Sequence, residues 1–285
     1  MSGRIPPDEE QRLQALRAYG ILDTSPETAF DDITLLASYI TGTPISLISL
    51  VDESRQWFKS KVGWSVDQTP REDAFCSHAI MSRDVMQVAD AQQDERFADN
   101  PLVTGEPNIR FYAGAPLVTP DGQALGTLCV IDREPRRLDK AQEEALRALS
   151  RQVVAQLELR RAIRGVAQLR REFEMILNSA AEGIYGLDRH GRVTFINIAG
   201  ARMCGYEPHE LMRQRQHNHI HHSRADGSPY PWQECPNHHT LTSGHAVEVT
   251  GEVFWRRDGT SFPVEYSSTP IINDGTITGA VVIFR

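Results

Sequence analysis

The sequence has little that would tie it to a membrane, to nucleic acid or to an oxidising compartment. Its longest apolar runs, Ile45–Val51 and Gly279–Phe284, fall far short of the ~18–20 residues that span a bilayer. The opening MSGRIPPDEE lacks the apolar core of a secretory signal. Only four cysteines occur, Cys76, Cys129, Cys204 and Cys235, dispersed and without a pairing pattern. That argues against a disulfide scaffold and for reduced thiols in a cytoplasm. Basic residues are outnumbered, 30 against 38 acidic, for a net charge of −8, so a general nucleic-acid footprint is not expected. The phosphate loops GxGxxG and GxxxxGKS/T are missing, as is the nucleophile turn GxSxG. No enzyme is therefore expected within these 285 residues.

What is present is enough apolar material, 40% of 285 residues, for two modest domains at about 100–200 residues each. Pro6-Pro7 and the acids after them open a helix over 8–19, stopped by Gly20. Ser25-Pro26-Glu27 opens a second helix, with Phe30, Ile33, Ala37 and Ile40 at helical spacing. Residues 45–51 and 56–62 read as a hairpin, 71–81 as a short helical stretch and 85–89 as a strand. Residues 90–108 read as a polar loop with a helical turn near 95–98, and 109–118 and 124–131 as two further strands. The order is that of an antiparallel α+β domain with helices on one face.

A helix beginning at Leu138 does not stop where that domain should end. Neither proline nor a strong break interrupts it, and it would span about 60 Å over roughly 40 residues. Leu146, Leu149 and Val153 set one 3–4 rhythm, and Leu159, Ile163, Val166, Phe173 and Leu177, with Arg170 in the sixth seam position, set a second one out of phase with it. A heptad-like seam with one phase break predicts a parallel two-helix connector between two copies of the chain, and a packed C-terminal helix followed by an ordinary linker helix is the competing reading. The arginines at 160, 161, 164, 170 and 171 read as its solvated face, with acidic partners one turn away. Beyond it come two strands, short helices, a His-rich stretch and three closing strands at 247–256, 261–272 and 276–284.

Specific residues then add a family resemblance. The string Phe195-x-Asn197-x-Ala199, with Gly205-Tyr206-x-x-x-Glu210-Leu211, Asp258-Gly259 and Phe262-Pro263-Val264-Glu265, resembles a PAS domain. The first half resembles a GAF domain, carried by Tyr19-Gly20-Ile21-Leu22-Asp23, Phe75-Cys76-x-His78, Arg110-Phe111-Tyr112-Ala113-Gly114 and Leu125-Gly126-Thr127-Leu128-Cys129. The resemblance implies an α+β chain of two antiparallel-sheet sensory domains joined by a signalling helix: a GAF domain over 1–137, the connecting helix over 138–177 and a PAS domain over 178–285. It further implies a cytoplasmic homodimer that binds a small molecule or cofactor and drives an output domain in cis. A histidine kinase is the first expectation for that output, and a diguanylate cyclase or phosphatase the second. A module that binds only protein is a further reading.

Two sets of residues are candidates for chemistry. In the first domain, Trp57, Phe58, Cys76, His78, Arg110 and Tyr112 would line a ligand cavity beneath the segment 71–110, an apolar wall with a few polar handles. In the second, nine of the ten histidines lie at or beyond His190, seven of them between His217 and His245. His219, His221, His222, Cys235, His238 and His239 are the candidates for a metal. Cys235-x-x-His238 has half-site spacing, and His219 would share a face with His221 in extended backbone. Haem is the other possibility, since haem-binding PAS domains carry an axial histidine where His238 and His239 fall. A structural role for the same side chains is the competing reading.

Overall fold

The computed structural model describes residues 5–285, so Met1–Arg4, the start of the first predicted domain, lie outside the described residues. The chain forms two compact units, the first running to Val166 and the second over Ala167–Arg285. Among the described residues no helix is long and apolar enough to cross a membrane.

The first unit contains α1 (Glu9–Tyr19), α2 (Thr28–Thr41), β1 (Ile45–Val51), β2 (Arg55–Val62), β3 (Gln68–Pro70), α3 (Cys76–Ala79), β4 (Met86–Val88), α4 (Pro101–Thr104), β5 (Phe111–Val118) and β6 (Ala124–Asp132). The strands form one antiparallel sheet in the order β3-β2-β1-β6-β5-β4. Because strand side chains alternate, the apolar residues of β1, interrupted by Ser46 and Ser49, feed two cores. Ile48 and Leu50 pack under α1, α2 and the long helix, with Leu16, Phe30, Leu128, Leu146 and Val153. Ile45, Leu47 and Val51 face the opposite layer, with Phe75, Ile80, Phe97 and Tyr112. Helices therefore supply one face, as expected. The other face is buried too, under the segment expected to roof a cavity. The helical turn expected near 95–98 forms there, with Phe97 N and Ala98 N donating to the Asp94 carbonyl at 2.9 Å, and α4 follows it, where the Asn100 side chain accepts from Leu102 N and Pro101 occupies the first turn.

One position fixes how closely the central strands meet. Gly126 pairs with Leu50, and a Cβ there would stand 1.9 Å from the Ser49 carbonyl oxygen. Gly126→Ala is expected to cost about 1–3 kcal/mol by overpacking the β1–β6 pair, read from the urea midpoint. A midpoint within error of the parent would show that the strands part without cost.

The long helix, α5, runs Lys140–Ser179. Its phase break has a physical cause. Leu146, Val153 and Leu157 are buried in the first core with Leu149 packed against them, whereas Leu159, Ile163, Val166 and Phe173 are more than half exposed. The predicted single seam is thus corrected. Leu146, Leu149 and Val153 are consumed by the chain's own domain, and only the second rhythm forms an open stripe. The solvated-face reading of the arginines holds for Arg170, which pairs with Glu174 at 2.9 Å. It fails for two others. Arg160 and Arg164 donate to the Gly20 carbonyl at 3.0 and 2.6 Å, capping the carbonyl end of α1.

The second unit contains β7 (Gly183–Asp188), β8 (Val193–Ile196), α6 (Ile198–Cys204), α7 (Pro208–Leu211), α8 (Gln216–Ile220), α9 (Pro236–Ser243), β9 (Val247–Trp255), β10 (Ser261–Asn273) and β11 (Thr276–Phe284). The sheet order is β8-β7-β11-β10-β9, antiparallel throughout. One face carries Tyr185, Leu187, Val264, Tyr266, Val282 and Phe284 against the short helices. Asn197 explains why the second unit begins as it does. Its Oδ1 accepts from Gly200 N and Ile184 N, and its Nδ2 donates to the Leu177 and Glu182 carbonyls. One side chain therefore caps α6, anchors β7 and closes the carbonyl end of α5.

Candidate functional site

The first set of candidates is dispersed by the sheet. Trp57 and Phe58 are neighbours on β2 and so project to opposite faces. Trp57 lies in the helix-side core and Phe58 in the other. Arg110 is taken up by a two-pronged pair with Asp90, both contacts at 2.8 Å. His78 is half-buried and meets the Phe97 ring edge-on at 4.9 Å. The space beneath 71–110 is filled by packed rings, with Phe75 stacked on Phe97 at 4.0 Å and on Tyr112 at 5.2 Å. A cavity of about 430 Å³ sits to one side, lined by Trp64, Thr69, Leu102, Pro107 and Arg133 among others. The buried Trp64 Nε1 has no acceptor.

Cys76 and Tyr112 do meet, inside the core. Thr127 Oγ1 and Tyr112 OH donate to Cys76 Sγ at 2.9 and 3.3 Å, and Cys129 Sγ lies 3.9 Å away. Burial opposes ionisation of Cys76, but hydrogen bonds from Cys129, Thr127 and Tyr112 hold its thiol down, at about 7. The same contact with Cys76 pushes Cys129 up.

The second set condenses into a smaller and different group. The stretch expected to be extended is helical at α8, so the residue that shares a face with His221 is His217, four positions earlier. His217, His221 and Cys235, all buried, bring ligand atoms within 4.8 Å of one another. Cys235 reaches them as the residue preceding α9, with its Sγ 3.3 Å from His221 Nδ1. His219 instead meets Tyr206 edge-on, exposed His222 stacks on Trp255, and His238 meets Trp232. His239 is exposed and 3.3 Å from Ser243 Oγ. Cys235 and His238 therefore do not form a half-site, and the signal that finds His217 is its i,i+4 relation to His221.

Around this trio the polar atoms are ordered. His217 Nε2 is 2.7 Å from the Tyr230 carbonyl oxygen, and its Nδ1 is buried without a partner. His221 Nε2 is 2.8 Å from Glu252 Oε2. Tyr230 OH and Tyr266 OH donate to the two oxygens of Glu252 at 2.8 and 3.0 Å. Burial works against the Glu252 charge, but contacts from His221, Tyr230 and Tyr266 outweigh it and hold the carboxyl below its ordinary value. Burial lowers His217, keeping it neutral, and pushes Cys235 up to about 12.

Comparison with known proteins agrees with this architecture. Residues 25–157 match the family model of the GAF domain, and residues 171–285 match that of the PAS fold. A cyclic di-GMP phosphodiesterase of Pseudomonas aeruginosa is 51% identical over 131 residues, which is 46% of this chain and 22% of that protein. The chain thus spans only about a fifth of that relative's length. Among solved structures, the E. coli DhaR(N)–DhaL complex aligns over 100% of this chain and 94% of that one, with a TM-score of 0.56 at 12% identity. At that identity the likeness concerns the fold. A GAF domain from an Acinetobacter phosphoenolpyruvate-protein phosphotransferase aligns over 56% of this chain and 98% of that one, with a TM-score of 0.41 at 18% identity. The two family matches take in both folded units, and the chain belongs to these families as a GAF domain followed by a PAS domain, a sensory region.

Proposed function

We propose that the chain is the regulatory part of a cytoplasmic signalling protein and works as a parallel homodimer through α5. The observation that carries this is the exposed heptad stripe Leu159, Ile163, Val166 and Phe173, with Leu177 half-buried at its end. Spacing of 4 and 3 suits a second copy of the same helix, because identical helices present identical knobs and holes. A small molecule held by the GAF domain would bias one arrangement of that helix pair over another. The 430 Å³ cavity, with the unpaired Trp64 Nε1 and Arg133 at its wall, is the place that favours such a ligand. A differential affinity of about 1.4–3 kcal/mol shifts such an equilibrium by about 10- to 150-fold.

For the output we favour cyclic di-GMP turnover over the histidine kinase first expected, because the 51%-identical relative carries that activity in its name. Deleting the whole gene from its source organism is expected to change cellular cyclic di-GMP. The intact gene would restore it, and a gene carrying Ile163→Asp would not. Unchanged cyclic di-GMP, with phosphate transferred from ATP to a histidine of the full-length protein, would move the output to a kinase.

A further inference from the structure

We propose that His217, His221 and Cys235 form a binding site for a divalent transition-metal ion of the zinc class inside the PAS core. The inference does not depend on the signalling role above, and either can fail without the other.

The argument begins with the tautomers. A carbonyl oxygen only accepts, so the 2.7 Å contact with Tyr230 O places the His217 proton on Nε2 and leaves Nδ1 a lone pair. That Nδ1 is buried with no partner, in a residue only 6% exposed. An unpaired buried acceptor is costly in a folded core. The Glu252 carboxylate oxygen lies 2.8 Å from His221 Nε2, and His221 Nδ1 lies 3.3 Å from Cys235 Sγ. His221 thus turns Nδ1 to the cysteine with a carboxylate beside its other nitrogen, and His217, with one nitrogen on a carbonyl and the other unpaired, brings a ligand atom within 4.8 Å of both. Metal-ligating histidines are oriented in this way by their outer partners.

Spacing and charge agree. Two imidazole nitrogens and one sulfur around a tetrahedral zinc ion stand about 3.3–3.6 Å apart. The trio lies within 4.8 Å, with one edge already at 3.3 Å, so small side-chain rotations close the site. On binding, the Cys235 S–H bond breaks, the proton leaves to solvent, and the thiolate bonds the ion. The thiolate and the Glu252 carboxylate then balance the dication without importing further charge. Neutral imidazole with thiolate is a donor set for zinc rather than for magnesium or calcium.

The test uses the whole chain, stripped by a chelator and shown to be folded, and titrated with zinc(II) and, separately, cobalt(II). The expected result is one ion per chain, a thiolate-to-cobalt charge-transfer band, and a zinc-edge X-ray absorption spectrum with one sulfur and two imidazole neighbours. His217→Gln and Cys235→Ser are expected to lose the ion, and His238→Gln to retain it. The absorption spectra of the unaltered chain decide the matter even where a variant does not fold. A folded chain that takes up no zinc in excess metal would overturn the site. So would a cobalt spectrum without the thiolate band, or a haem absorption band in the purified protein.

Discussion

Glu9→Gln is expected to destabilise the first domain by about 1–3 kcal/mol, the cost of leaving buried donors without a charged acceptor. Glu9 holds two cations at once. Arg12 donates to both of its oxygens at 2.7 and 2.8 Å, and Arg71 pairs with Oε1. The Arg12 side chain is 1% exposed and that of Arg71 9%, so neither finds water when the carboxylate is gone. Arg71 already has Nε and one terminal nitrogen buried without acceptors. The triad also joins three elements, because Arg12 donates to the Val51 carbonyl at the end of β1 and Arg71 to that of Asp52. Burial alone would raise the Glu9 pKa, but the hydrogen bonds from Arg12 and Arg71 bring it down from 4.5 to about 2. A depressed carboxylate stabilises the fold fully above its unfolded value and loses that contribution as pH falls through its folded value. Urea midpoints of the parent should therefore decline between about pH 4.5 and 2. The Glu9→Gln variant should start lower and show a shallower decline. A loss under about 1 kcal/mol at neutral pH would mean that water or another acceptor serves the two guanidiniums.

Val166→Asp is expected to dissociate the proposed dimer, weakening self-association by somewhat over a hundredfold, about 3 kcal/mol. Val166 is 68% exposed in the single chain. The substitution therefore leaves the monomer's stability nearly unchanged, while each dimer would bury two like charges at the seam. Leu149→Asp makes the contrast. Leu149 packs on the first core, so that change should unfold the domain rather than separate two folded copies. Sedimentation equilibrium with circular dichroism reads both quantities. A parent chain that is monomeric at micromolar concentration would remove the dimer, and with it the proposed route of the signal.

Much of this could be read from residue order. The span Ile45–Val51 is a strand over the same residues that its β-branched alternation marks. Gly20, Gly42, Gly205 and Gly244 end helices in the left-handed conformation, as glycine allows at little cost. The opposed directions of Trp57 and Phe58 were legible too, since the period of a strand is two wherever the strand is placed. Helix α8 was not legible. Its five residues are too few for a periodicity to show, and helices so short are held by tertiary packing rather than propensity.

By itself the sequence determined what depends on neighbours along the chain: strand and helix periods, turns and caps, the two-domain order, and the second rhythm of α5. Only the tertiary structure decided what depends on distant register. It assigned Leu146, Leu149 and Val153 to a core and left Leu159, Ile163, Val166 and Phe173 open. It also chose His217 from among seven histidines, because the turn of α8 brings it to His221. The pairing of β9 with β10 then carries Glu252 and Tyr266 to the same place. Such meetings are fixed by how the sheet closes over its helices, and no local pattern of residue types encodes that distance.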